Sequence, residues 1–213
     1  ARYLKRFFRS PTYKRLYQLY YDADRNPHSI SQRHNFVSNS AEEVQILEHG
    51  LSHLAKRNAQ QSLKHWTRYQ LSHEFSHGAQ ARIISAIVKN LYAQGHRDAA
   101  DSYHIDNIQL LNQTLDGSLT EWRIRQSLAH LDWPMVSVWL ARLPKASQQK
   151  TLWRYWHIRS LESDPSTTEN PEILPLTREL ARERDFYGFL ASERIDAAYS
   201  INHHPLIIDQ QEL

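Results

Sequence analysis

The sequence predicts an all-α fold, a stacked array of antiparallel helices. Three observations carry it. The 213 residues hold only 5 glycines and 8 prolines, too few for the many turns of a β-sandwich or barrel. Alanine, leucine, glutamine, arginine and glutamate recur throughout, and these are good helix formers. Wherever apolar residues follow a pattern, they recur with the helical period, and the breaks between patterns are short.

The chain opens at Ala1-Arg2-Tyr3-Leu4 without a signal-peptide pattern, already reading as helix, so a mature or trimmed start is expected. The net charge of +3 hides an asymmetry. Residues 1–21 carry Arg2, Lys5, Arg6, Arg9, Lys14 and Arg15 and no acid, while the remaining 20 basic and 23 acidic residues leave a deficit. Tyr3, Phe7, Phe8, Tyr13, Tyr17, Tyr20 and Tyr21 are interleaved with these charges. Such a segment suits contact with RNA or an anionic surface. It equally suits helices whose aromatics pack on neighbours while the charges stay solvated, and the two-sided distribution of the rings favours packing.

From Ser40 to Leu161 helical patterns alternate with short breaks. Ser40-Ala41-Glu42-Glu43 reads as a capping box, with Val44, Leu47, Leu51, Leu54 and Ala55 on one face behind it. A second helix carries Leu63, Trp66 and Tyr69. A third carries Ile83, Ile87 and Leu91 beside Ile84 and Val88, and Gly95 suits its C-terminal stop. Ile105, Ile108, Leu111 and Leu115 mark a fourth, ended by Asp116-Gly117. Ser118-Leu119-Thr120-Glu121 is a second capping box, followed by Ile124, Leu128 and Leu131. Asp132-Trp133-Pro134 reads as an N-cap with proline in the first turn, leading to Val136, Leu140 and Leu143, with Pro144 closing the element. Leu152, Tyr155 and Trp156 belong to the next helix. Trp122, Trp139 and Trp156 fall at an even step of 17 residues, which suits stacked helical hairpins each burying one tryptophan. The tetratricopeptide consensus is not present. Residues 163–171 form a polar, proline-bounded loop. A helix around Leu176, Leu180 and Glu183 follows, then the Phe186–Ile195 segment and an extended stretch from Tyr199 to Pro205.

Zero cysteines exclude disulfides and thiolate metal sites. No apolar stretch approaches the roughly 18 residues of a membrane span. Gly50, Gly78, Gly95, Gly117 and Gly188 stand too far apart for a phosphate-binding loop. His73-Glu74-Phe75-Ser76-His77 matches the short zinc-peptidase pattern, in which two histidines four apart on one helix bind the metal and the glutamate activates water. Where a longer version of that pattern has glycine and a third histidine, this chain has Gln80 and Ile83. Asp98 and Asp101 are the nearest downstream carboxylates, with no framework specifying either. Ser76 also reads as the N-cap of the helix bearing Ile83, which puts a helix boundary inside the motif, so no zinc is expected at residues 73–77. His49 and His53 are again four apart, here on one helix, but lacking an identifiable third ligand they read as a surface pair. Asn202-His203-His204 reads as a solvated or packed pair in a loop.

Four segments resemble soluble lytic murein transglycosylases. They are Asp132-Trp133-Pro134 through Trp139-Leu140-Ala141-Arg142-Leu143-Pro144, then Leu152-Trp153-Arg154-Tyr155-Trp156 with Arg159-Ser160-Leu161, then Arg182 through Ala191, and finally Tyr199-Ser200-Ile201-Asn202. The likeness is good from about Leu119 to Pro205 and looser from Ser40. It implies a solenoid-like α-superhelical array of helical hairpins, with a scaffold domain over residues 1–190, the start of a linker domain over 191–213, and the catalytic domain absent from this chain. The resemblance further implies a periplasmic protein partnered by peptidoglycan glycan strands and by its own linker and catalytic domains, with no nucleic acid and no membrane span. In that family one glutamate acts as acid and then base, and the sugar's 6-hydroxyl displaces the leaving group to give a 1,6-anhydromuramoyl end. The family's glutamate precedes a serine and a glycine-rich stretch. Glu162-Ser163 has the dipeptide, but Asp164-Pro165-Ser166 follows it. No catalytic, cofactor-binding or metal-binding residue and no cofactor is therefore assigned. Two alternatives stay open: a helical-repeat module binding protein or RNA, and a zinc peptidase using His73, Glu74 and His77.

Overall fold

A computed structural model describes residues 10–163 and 170–201. Every regular element among them is helical, so the all-α class holds. The chain divides into two compact units, Ala1–Asp116 and Gly117–Leu213.

In the first unit α1 (Pro11–Arg25) opens on a proline and ends on a basic residue, both favourable at those ends. Leu19 and Ala23 face α2 (Ala41–Arg57), while Tyr13, Tyr17, Tyr20 and Tyr21 stay exposed. Two 3-10 turns, Pro27–Ser31 and Arg33–Asn35, bring Ile30 into the core beside Gly50. A methyl group on Gly50 would sit 2.7 Å from Ile30 Cγ1 and 3.1 Å from Ala23 Cβ. That close approach explains a glycine in mid-helix, where it otherwise costs about 1 kcal/mol.

The first capping box forms in altered shape. Ser40 Oγ accepts from Glu43 N at 3.3 Å as expected. The Glu43 carboxylate instead accepts from Ser38 N at 2.9 Å, and Ser38 Oγ accepts from Ser40 N. Glu43 is fully buried and lies 2.6 Å from Arg15 Nη2, an ion pair that ties α1 to the start of α2. Of the expected α2 face, Leu47, Leu51, Leu54 and Ala55 are buried and Val44 half-buried.

Helix α3 (Ala59–Tyr69) buries Trp66 and Tyr69, with Leu63 half-buried. Tyr69 donates its hydroxyl to Ile30 O at 2.7 Å, and burial pushes its pKa up to about 12. Helix α4 (His77–Ala93) buries all five residues of the expected stripe. It ends as Gly95 implies: Gly95 has φ +87°, Gly95 N bonds to Tyr92 O, and His96 N bonds to Leu91 O.

The single fourth helix is overturned. The segment forms α5 (Arg97–Asp106) and α6 (Ile108–Leu115), separated at Asn107. Asn107 turns its side chain back onto Tyr103 O at 2.8 Å, which competes with continued helix. Re-phasing at that break leaves Ile105 exposed and buries Ala100, His104 and Leu111.

In the second unit Gly117, at φ +73°, is the N-cap of α7 (Ser118–Ala129), so Ser118 is already helical and the second capping box does not form. Leu131 lies beyond α7 at φ +55° and is largely exposed, contrary to its assignment to that face. Asp132 does cap α8 (Trp133–Leu140), accepting from Met135 N at 3.3 Å, and Val136, Leu140 and Leu143 are buried as expected. The short α9 (Lys145–Gln148) precedes α10 (Thr151–Glu162). The even tryptophan step does not survive: Trp139 is fully buried, but Trp122 and Trp156 are half-buried. In α10 it is Trp153 that is fully buried. The expected loop at residues 163–171 falls mostly outside the described residues, as do Asn202 to Pro205. Helix α11 (Ile173–Leu180) stops before Glu183, and α12 (Phe186–Arg194) follows. Tyr155, Ile158, Leu180, Ala181 and Ala191 form a shared core of α10, α11 and α12, flanked by Trp156, Ile173 and Tyr187.

Candidate functional site

The segment from Arg182 to Ala191 is held to α10 by specific polar contacts. Arg154 Nη1 donates to Glu183 Oε1 at 2.8 Å, and its Nη2 to Glu179 Oε1 at 2.9 Å. Asp185 caps α12 by accepting from Gly188 N at 2.9 Å, while its other oxygen accepts from Thr151 Oγ1 at 2.6 Å. Burial works to raise the Asp185 pKa, but the bonds from Thr151 and from the Gly188 and Tyr187 amides outweigh it, leaving the carboxyl below its ordinary 3.8. Gly188 is buried against the Glu183 backbone, where no side chain fits.

Glu121 performs a similar task earlier in the unit. It accepts from Lys150 Nζ at 3.0 Å and from Trp153 Nε1 at 3.2 Å, and Arg125 covers the Trp153 ring at 5.1 Å. This carboxylate partner is why Trp153 can be buried with its indole N–H satisfied. Arg154 and Trp153 also line an open groove of about 570 Å³ with Lys145, Gln148, Leu176 and Glu179.

Glu162, which carries the glutamate–serine dipeptide, is an ion-pair residue here. Its Oε2 lies 2.6 Å from Arg194 Nη2 and 3.2 Å from Arg159 Nε. The Arg194 contact fastens the end of α10 to the end of α12, while the Arg159 pair lies within α10.

The structure separates the members of the zinc-peptidase pattern. Ser76 caps α4, accepting from Ala79 N, so the boundary lies between the histidines as expected. His73 sits in the turn after α3, with its Nδ1 2.9 Å from Ser72 Oγ and its ring edge-on to Tyr69. Burial holds His73 below its ordinary pKa, against the opposing pull of Glu43. Glu74 N donates to Asn39 Oδ1. His73 faces a groove with Arg33, Phe36 and Tyr69, whereas His77 lines a different cavity with Ile105, Asp106 and Ile108.

The histidine pair on α2 fares differently. Asp24, from the last turn of α1, places Oδ1 3.0 Å from His49 Nε2 and 3.9 Å from His53 Nδ1. The two histidines stay partly exposed, and the third donor group that the sequence did not identify stands beside them. Nothing in the local sequence announced Asp24, which lies 25 residues before His49.

No protein-family model matches the chain. The comparisons show what this helical array is similar to, namely part of the solved lytic transglycosylases. The soluble lytic murein transglycosylase of Escherichia coli K12 is 37% identical over 84 residues, which are 39% of this chain and 13% of the relative. The solved lytic transglycosylase Slt of Pseudomonas aeruginosa, an inactive mutant, superposes with a TM-score of 0.65 at 28% identity, covering 96% of this chain and 32% of that one. A 70-kDa soluble lytic transglycosylase in complex with bulgecin A shares the fold, with a TM-score of 0.67 at 20% identity over 89% of this chain and 30% of that one. The chain is therefore similar to soluble lytic murein transglycosylases in sequence and in fold, but spans only a small share of their length. No described helix is long and apolar enough to cross a membrane.

Proposed function

We propose that this chain is the non-catalytic helical scaffold of a periplasmic lytic transglycosylase, one that cleaves the MurNAc-GlcNAc bond of peptidoglycan and leaves a 1,6-anhydromuramic acid end. The observation that carries the reading is the match to the Pseudomonas aeruginosa transglycosylase over 96% of this chain. The cleavage chemistry needs a positioned acid beside the glycosidic bond. The 213 residues supply no glutamate in the glycine-rich setting that the family uses, and Glu162 is engaged with Arg159 and Arg194. Residues 1–190 then act as scaffold and residues 191–213 lead into a linker. A helical scaffold contributes by holding a glycan strand close to a docked catalytic domain, which raises its local concentration.

The test incubates purified sacculi with this chain and with the full-length protein, and reads anhydromuropeptides by mass spectrometry. Product is expected from the full-length protein alone. Product from the 213-residue chain defeats the division of labour, and none from the full-length protein removes the transglycosylase assignment.

A further inference from the structure

We propose that Asp24, His49 and His53 form a binding site for a divalent zinc ion that fastens α1 to α2. Among the described residues this is the one group of three such side chains whose ligand atoms all lie within 4.8 Å of one another. In a tetrahedral zinc centre with bonds of about 2.0–2.1 Å, neighbouring ligand atoms stand roughly 3.3–3.5 Å apart. The Asp24 oxygen lies 3.0 and 3.9 Å from the two imidazole nitrogens, which brackets that spacing. Small side-chain rotations suffice to seat an ion.

His53 is tied to Asp24 through the Asp24 backbone, and hydrogen bonding does not by itself bring both imidazoles onto the carboxylate. Asp24 and His49 are within hydrogen-bond reach, but His53 Nδ1 is too far from the same oxygen to share it that way. The two rings nevertheless lean together, with centroids 4.2 Å apart. A cation between the three groups satisfies all of them at once. Tyr20 stacks on the His49 ring at 5.0 Å and limits its rotation, so part of the ordering precedes binding. All three residues are half-exposed, giving the ion a route in and leaving a fourth position for water.

Two imidazoles and one carboxylate are a borderline donor set, suited to zinc rather than to calcium or magnesium, which take oxygen ligands. The Lys56 charge acts on His53 and opposes a second cation there, which weakens binding. Because the ligands come from two helices, binding stabilises the folded chain, rising with the logarithm of ion concentration once that exceeds Kd.

Zinc binding to the tag-free chain is measured by calorimetry, and cobalt is added as a spectroscopic stand-in whose visible absorption reports tetrahedral nitrogen and oxygen ligation. One zinc per chain, the tetrahedral cobalt band and a zinc-dependent rise in melting temperature are expected. His53→Ala and Asp24→Ala should each weaken binding at least about tenfold while leaving the far-ultraviolet helix signal of the metal-free protein unchanged. Replacing His77, or His203 and His204 together, should leave binding intact. Absence of binding, binding unchanged in His53→Ala, or binding lost through His77 or His203 and His204 overturns the proposal.

Discussion

Gly188→Ala is the substitution that most sharply tests the packing of the segment from Arg182 to Ala191. In an ordinary helix interior the change stabilises by about 0.5–1 kcal/mol, because alanine has less backbone freedom to lose. Here the new methyl group would stand 2.8 Å from the Glu183 carbonyl carbon and 3.0 Å from Glu183 Cβ, with the carbonyl oxygen closer still. The obstacle is backbone and cannot swing aside. Glu183 is fixed by its own bond from N to Leu180 O and by Arg154, while Asp185 must stay placed to accept from Gly188 N. Relief requires moving the turn between α11 and α12 and weakening that cap. Overpacking of this kind costs about 1–3 kcal/mol and occasionally more, and loss of the cap adds about 1 kcal/mol. The net expectation is a loss of about 2–3 kcal/mol, which lowers the melting temperature of a chain of 213 residues by roughly 4–12 °C.

The assay is a thermal melt followed by tryptophan fluorescence, to which Trp153 and Trp156 of the same unit contribute. Gly78→Ala serves as the control. Its methyl group would meet the Arg82 guanidinium at 3.2 Å, the far end of a long side chain rather than backbone, and Ser76 Oγ at an ordinary contact of 3.9 Å. That variant should be unchanged or slightly more stable. A Gly188→Ala protein that melts at or above the parent temperature would show that the Glu183 contact does not constrain this segment.

Asp185→Asn should make stability less sensitive to acid. The folded carboxyl is held below its ordinary 3.8, so its contribution is complete above that value and disappears as pH falls through the lower folded pKa. The gap between parent and variant should be constant from neutral pH down to the unfolded value and close below it; a gap that persists in strong acid would contradict the assignment. Trp153→Phe keeps most of the buried ring but removes the bond to Glu121, and should cost about 1–2 kcal/mol in urea denaturation. Trp156→Phe should cost less, and the reverse order would reinstate Trp156 as the buried member of the helix. Glu162→Gln weakens a partly exposed ion pair and should lower stability by less than about 1 kcal/mol. Anhydromuropeptide yield from the full-length protein should not change, and its loss with folding intact would make Glu162 a catalytic candidate.

Helix ends were the most legible part of the fold, because they are decided by neighbours in sequence. Ser40, Ser76 and Asp132 each accept a hydrogen bond from a backbone amide three residues on. Gly95 and the Asp116-Gly117 pair adopt the left-handed backbone that their types favour. The misreadings came where a competing partner was decisive. Ser118 was displaced as a cap by the glycine before it, and Asn107 broke a helix by bonding to Tyr103. Choosing between Trp153 and Trp156 required the position of Glu121, which lies 32 residues from Trp153. Periodicity identifies the faces of a helix, but not which face finds a carboxylate able to receive an indole N–H.

The same limit governs what the sequence can say about sites. A motif written within five residues, such as His73 to His77, is easily seen and is tested by local geometry alone. Its Ser76 cap was readable, and that cap sets the two histidines on different elements. His49 and His53 pose the opposite problem: their helical spacing was readable, but the group that completes them was not. Asp24 is one of 23 acidic residues, and only the packing of α1 on α2, with Leu19, Ala23 and Ile30 buried in that unit's core, carries it to the pair. The apolar contacts therefore create the polar cluster. A substitution that repositions α1, such as Gly50→Val, should disperse Asp24 from the histidines and abolish cobalt binding with both imidazoles intact. Cobalt binding that survives this displacement would mean that Asp24 is not a ligand.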